Sequence, residues 1–223
     1  MPGQPAAARI SYGSSFMSKV LTCFGLAVGV SALGAYIGLN YFAQYFVSSP
    51  ALTYGLIILE LALVLTSGLW SKKEPINVIL FGLFALVTGL TLVPIIAYLT
   101  LSAGGVSLLI KALAATALMF GGCAIFGATT HRNLQGLGGF LIMALIGMII
   151  VSIIGIFIPW SNTFEMIFAG IGVIIFSAYT MYDIQRLRSY PDDMYIMAAM
   201  QLYLDIFNLF LYILRLPSAM NRR

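Results

Sequence analysis

The sequence predicts an all-α membrane protein of seven transmembrane helices. Three observations carry that prediction. First, 61% of the 223 residues are hydrophobic and only 8% are charged, against about 45–50% and 25% in ordinary soluble domains. Second, the mean hydropathy of +1.02 describes more apolar surface than a soluble fold of this length can bury. Third, the apolar residues fall into seven runs separated by short polar or Gly/Pro-bearing stretches. Each run approaches the roughly 20 residues that a bilayer demands of a helix.

The chain divides into a loose N-terminal tail (1–19), a transmembrane domain (20–216) and a C-terminal tail (217–223). The first apolar run, Val20 to Phe46, is too long for the core of a signal peptide and reads as a retained span. It carries Gly25, Gly29, Gly34 and Gly38, small residues four apart that let helices approach closely. Ser48 to Pro50 turns the chain, and the second span follows from Leu52 to Trp70, interrupted by Glu60. Ser71 to Pro75 ends it. The third span runs from Ile76 to Leu99, with a kink expected at Pro94. Ser102 to Gly105 forms the next turn. The fourth span is Ser107 to Phe126, and the polar loop Thr129 to Gly139 follows it. The fifth is Phe140 to Ile158, closed by Pro159 and Trp160. The sixth is Phe164 to Tyr182 and the seventh is Met194 to Leu216.

Seven spans put the two termini on opposite sides. Arg9, Lys19, Lys72, Lys73, Arg132, Arg186 and Arg188 fall on the N-terminal side, and Lys111, Arg215, Arg222 and Arg223 on the other. Cytoplasmic loops are the basic ones, which places the N-terminus in the cytoplasm. The net charge of +4 is small and gives no sign of nucleic-acid binding. Cys23 and Cys123 lie in apolar runs without a CxxC spacing, so they read as packing residues and not as a zinc or redox pair.

Of seven acidic residues, Glu74, Asp192 and Asp193 lie in loops, and Glu165 sits at a helix start, where its charge suits the macrodipole. Glu60, Asp183 and Asp205 instead interrupt apolar spans. Acids inside a bilayer are costly and usually functional. Asp183 and Asp205 flank one polar turn. If the flanking helices are antiparallel, each acid lies about eleven residues from it, which sets both at similar depth at roughly 1.5 Å per residue. Glu60 falls near mid-membrane by the same measure, so the three acids can line one path. The plainer reading is that each makes a local hydrogen bond, with Tyr179, Tyr182, Gln201 and Asn208 as partners. Acids without cationic partners have two uses in a bilayer. They bind a permeating cation, calcium being the one that prefers oxygen ligands, or they titrate as a coupled pair. His131, the only histidine, lies in a polar loop and reads as solvated.

Three segments carry a family resemblance. MYDIQRL (Met181 to Leu187) resembles the FDTQ/YDTQ stretch of the Bax inhibitor family, also called the transmembrane BAX inhibitor motif family. LYLDIFNLFLYILRL (Leu202 to Leu216) is similar to its C-terminal signature, and THRNLQGLGGFLIMALIGMII (Thr130 to Ile150) to its loop-and-helix segment after span four. Short tail and compact loops resemble the bacterial branch. The resemblance implies six helices surrounding a central C-terminal one, and a pH-sensitive calcium leak channel of the bacterial plasma (inner) membrane. It implies that Asp183 and Asp205 sense pH, gate the pathway and meet calcium, and that Glu60 and Asp205 line the ion path. It implies no catalytic residues and no tightly bound cofactor; the expected partners are calcium ions, the lipid bilayer and a further membrane protein. Two departures stand out. Ile184 replaces the threonine of the DTQ motif, and the second span lacks the basic residue that latches the acid pair in the family, having only Lys72 and Lys73 at its end.

Two other functions fit less of the sequence. Paired aspartates on consecutive spans also resemble presenilin-type intramembrane proteases, in which two carboxyls activate water. Those enzymes carry GxGD and PAL motifs, but the second site here reads LYLD and no PAL follows. A binding module that regulates another membrane protein, such as a membrane protease, needs no acid chemistry and is the main alternative.

Overall fold

The computed structural model describes residues 13–102 and 104–220. Among them the chain is helical throughout, without strands. Helix α1 spans Gly13–Ile37 and continues through a π-helical turn, Gly38–Phe42, into α2, Ala43–Ser48. The expected N-terminal tail therefore ends earlier than Lys19. Phe16 and Val20 are already buried, because an apolar face recurring every four residues begins before the charged Lys19. Residues 1–12 of that tail lie outside the described residues.

The expected second span is shorter than the others. It divides into α3, Pro50–Leu65, and α4, Ser67–Trp70. The Thr66 hydroxyl donates to the Ala62 carbonyl at 2.6 Å, a side-chain bond that competes with the helix ladder and bends it. The expected third span is also two pieces, α5 (Ile76–Thr91) and α6 (Val93–Leu101). Pro94 stands at the start of α6 and lacks the N–H that would continue the ladder, so the break falls where the sequence placed a kink. Gly104, at φ 75°, closes the turn into α7, Gly105–Thr129; only glycine adopts that conformation without strain. A short 3₁₀ turn precedes α8, Gly138–Phe157. Ser161 caps α9, Asn162–Arg186, its hydroxyl accepting from the Phe164 N–H at 3.2 Å. The last helix, α10, runs Tyr195–Met220, so it passes Leu216, where the expected C-terminal tail begins.

Among the described residues, six helical segments are long and apolar enough to cross a membrane: Ser15–Phe46, Ile76–Leu101, Gly105–Thr129, Gln135–Phe157, Asn162–Ser189 and Asp192–Leu216. Pro50–Leu65 is apolar but only 16 residues long, about 24 Å at 1.5 Å per residue.

Helix α10 packs on α9, α1, α7 and α5, whereas α8 packs chiefly on α9 and α3 on α5. Some 56% of the apolar window of α10 is buried inside the protein, against 11% for α7 and for α8; the latter two turn most of their surface outward. Each of the three buried apolar clusters contains α10 residues: Leu202 and Tyr203 with α1 and α5, Leu209 with α8 and α9, Leu214 with α6 and α7. Where α1 crosses α5, Gly34 and Gly89 let the backbones touch. A Cβ on Gly89 would stand 2.1 Å from the Ser31 carbonyl oxygen. Gly25 and Gly29 face open space, so only one of the two glycine pairs in the first span serves close packing.

Candidate functional site

Buried positions on α9 recur as Val173, Phe176, Ser177, Thr180, Asp183 and Ile184, the three-to-four spacing of one helix face. On α10 the matching stripe is Ala198, Leu202, Asp205 and Leu209. These two stripes form the interface, so both acids point into it. Asp183 is 6% and Asp205 3% exposed, and their carboxyl groups lie within hydrogen-bonding reach of each other.

The pair is not symmetric about the turn. Asp183 stands just before the end of α9, while Asp205 lies well inside α10, contrary to the equal spacing expected. The reason lies in the connection, which folds back along α10. Leu187 packs among Ile196, Ala199 and Met200, and the Tyr190 hydroxyl donates to Gln201 Oε1. Arg186 stacks over the rings of Tyr182 and Tyr190, its guanidinium carbon 5.9 and 5.1 Å from their centroids, and stands close enough to act on Asp183. Asp183 therefore has a basic neighbour one turn away, at the end of its own helix.

The four local partners suggested by the sequence divide. Asn208 donates to its own helix at the Leu204 carbonyl, 2.7 Å, Gln201 is taken by Tyr190, and the Tyr182 hydroxyl packs on Gly138. Tyr179 lies one turn before Asp183 and within electrostatic reach of both acids. Its hydroxyl and Asp205 Oδ2 are buried and unpartnered among the described residues. Two buried oxygens near the acid pair thus have bonding capacity unused, which suits a shared proton, a water or a passing cation.

Glu60 does not join them. Its Oε1 accepts from Thr91 Oγ1 of α5 at 3.2 Å. Thr88, one turn earlier, lies within reach of both Glu60 and Tyr203 of α10. The Tyr203 hydroxyl in turn meets Ser31 Oγ of α1 at 2.5 Å, and Ser31 lies 2.9 Å from the Ala27 and Ala85 carbonyls. Tyr203 and Asp205 are two residues apart, about 200° around a helix. The expected single path for three acids is therefore two polar sites on opposite sides of α10. The second was hidden in the sequence because serine, threonine and tyrosine are unremarkable in apolar helices.

No group of three or more His, Cys, Asp or Glu residues capable of holding a metal occurs among the described residues. Calcium takes six to eight oxygen ligands, so Asp183 and Asp205 would need water or hydroxyl groups to complete a shell. His131 lies exposed in the α7–α8 loop.

At the opposite end of α10 a cavity of about 720 Å³ opens between α6, α7, α8, α9 and α10. Tyr98, Ser102, Ser152, Trp160, Glu165 and Arg215 are among its lining residues, and Phe168 lies at its inner side. Leu209, fully buried, belongs with Phe176, Phe168 and Met148 to one apolar cluster, and Phe168 also lines the cavity; Leu209 stands one helical turn beyond Asp205, toward Arg215.

Comparison with known proteins follows the same lines. The sequence profile of the family described as "Inhibitor of apoptosis-promoting Bax1" matches residues 13–223. A relative from Escherichia coli K12, the inner membrane protein YbhL, is 31% identical over 94% of this chain and 92% of its own length. An uncharacterised protein of Campylobacter jejuni is 30% identical over 96% and 93%. An uncharacterised membrane protein of Streptococcus pyogenes is 31% identical over 91% and 92%.

Proposed function

Because the chain belongs to the Bax inhibitor family, we propose that it is a pH-sensitive leak pathway for calcium or similar cations, gated by Asp183 and Asp205. One observation carries this reading: two buried carboxyl groups within hydrogen-bonding reach of each other at the α9–α10 interface. With one proton between them they hold the two helices together. With both ionised, two charges about 4 Å apart repel by roughly 4 kcal/mol at an effective dielectric of 20. That exceeds the roughly 1.4 kcal/mol that changes an equilibrium tenfold, so a single proton is enough to select between two packings. A divalent cation can take the proton's place.

In this reading the described arrangement is the closed one. The apolar layer of Phe168, Phe176 and Leu209 separates the acids from the wide cavity, and separation of α9 from α10 would part it. Glu60 belongs to the reading as a second acidic station on the far side of α10. Helix α10 is the hub, and Pro50–Leu65 with its continuation to Trp70 is a seventh, short span around it. The excess of basic residues in the loops on the N-terminal side supports a cytoplasmic N-terminus, and the Escherichia coli relative, named an inner membrane protein, supports the inner membrane as the location. The role is transport, without a catalytic step.

The test is calcium flux into liposomes that hold only the purified protein, across several pH values. Flux that varies with pH in the wild type and is insensitive to it in Asp205→Asn supports the reading. Wild-type liposomes no leakier than empty ones refute it.

A further inference from the structure

The polar loop between α7 and α8 is not used by either acid site, yet it is a built structure. Gln185, two residues after Asp183, spends its whole amide on it. Its Nε2 donates to the Arg132 carbonyl at 2.8 Å, and its Oε1 accepts from the Leu134 N–H at 2.8 Å. Within the loop, the Arg132 N–H donates to Thr130 Oγ1 at 3.3 Å and the Gln135 N–H to Asn133 Oδ1 at 2.9 Å. Arg188 crosses from the end of α9 to the Ala128 carbonyl at the end of α7. These bonds hold open a polar pocket of about 330 Å³, lined by Thr130, His131, Arg132, Gln185, Arg188 and Ser189 among others, none of them acidic.

We propose that this pocket binds a phosphate-bearing anion. Two guanidinium groups line it, and guanidinium is the side chain whose fork of donors matches phosphate. Thr130, Ser189 and His131 add groups able to donate. The exposed Arg132 guanidinium has no hydrogen bond or ion pair with a described residue, so its donors are available. The loop joins the ends of two membrane-crossing helices, which sets the pocket at headgroup level. On the same end of the protein stand Lys72 and Asp193, paired at 3.1 Å, with Lys73 beside them. A basic pocket at that level meets either of two phosphate sources: the headgroup of an anionic phospholipid or free phosphate in the adjoining solution. The proposal stands independently of ion conduction.

Native mass spectrometry of the purified full chain tests it, titrating phosphatidylglycerol or phosphatidylcholine into detergent, with and without millimolar inorganic phosphate. The wild type is expected to retain phosphatidylglycerol in preference to phosphatidylcholine, or to bind inorganic phosphate. Retention that persists in excess phosphate identifies the lipid; displacement by phosphate identifies the free anion. Arg132→Gln should weaken the bound species about tenfold, the worth of one direct hydrogen bond to a charged group. Lys73→Gln removes a charge from the same face outside the pocket and should leave binding unchanged. Equal loss in the two variants, no loss in Arg132→Gln, or no binding of either species by the wild type would overturn the proposal.

Discussion

The Tyr190 hydroxyl donates to Gln201 Oε1, one helical turn before Asp205 and on the same face of α10. This bond ties the segment after α9 to the helix that carries the second acid. Burial pushes the Tyr190 phenol above its ordinary range, so it remains a protonated donor at neutral pH. Tyr190→Phe removes the bond and keeps the ring that stacks with Arg186. A hydrogen bond of this kind is worth about 1 kcal/mol, so calcium leak at a fixed pH should rise by up to about fivefold in Tyr190→Phe liposomes. A leak equal to wild type would show that the connection plays no part in holding the helices closed.

In the proposed closed state, Leu209 and Phe176, members of one apolar cluster with Phe168 of the cavity lining, separate Asp205 from the wide cavity. Leu209→Ala removes side-chain volume where nothing else fills the space, as Leu209 is fully buried. Flux measured in liposomes should increase, and its pH dependence should persist because both acids remain. Unchanged flux in a folded Leu209→Ala protein would place the barrier elsewhere.

Glu60 sits in a hydrogen-bonded group with Thr88, Thr91 and Tyr203. Glu60→Gln keeps the ability to accept from Thr91 and loses only the charge. Calcium flux is expected to fall while the melting temperature in detergent changes little. Wild-type flux would remove Glu60 from the ion path.

The closeness of α1 and α5 depends on glycines, Gly89 most tightly. A Cβ at position 89 would stand 2.1 Å from a backbone oxygen, which cannot move aside as a flexible side chain can. Gly89→Ala should destabilise the protein by about 1–3 kcal/mol, the usual range for an overfilled contact. Gly25→Ala, which meets nothing within 4 Å, should be silent in the same thermal-melt assay.

Much of this architecture is written in hydropathy. Apolar runs and their punctuation located the helices, and Pro94 marked the break between α5 and α6, because span length and proline chemistry are local properties. Asp183 and Asp205 stood out for the same reason: an acid in an apolar run is visible one residue at a time. Less visible was everything that depends on which faces meet. Glu60 looked equivalent to the other two acids, but the helix period sets Tyr203, not Asp205, on the side of α10 that reaches Thr88. The asymmetric position of the pair came from a connection that doubles back along α10, held by Tyr190 and Leu187, and no periodicity encodes that. Gln185 appeared as one letter of a motif; its two bonds to the α7–α8 loop join residues about fifty positions apart.

The measurement closest to the central claim is the pH profile of calcium flux for wild type, Asp183→Asn, Asp205→Asn and the double variant in liposomes. Titration belongs to the pair and not to either residue, so breaking either partner removes the coupling. Each single variant should flatten the profile, because two carboxyl groups sharing a site raise the proton affinity of one of them. The double variant should add little, as expected for two residues of one interacting unit. If both folded single variants keep the wild-type profile, Asp183 and Asp205 are not the pH switch.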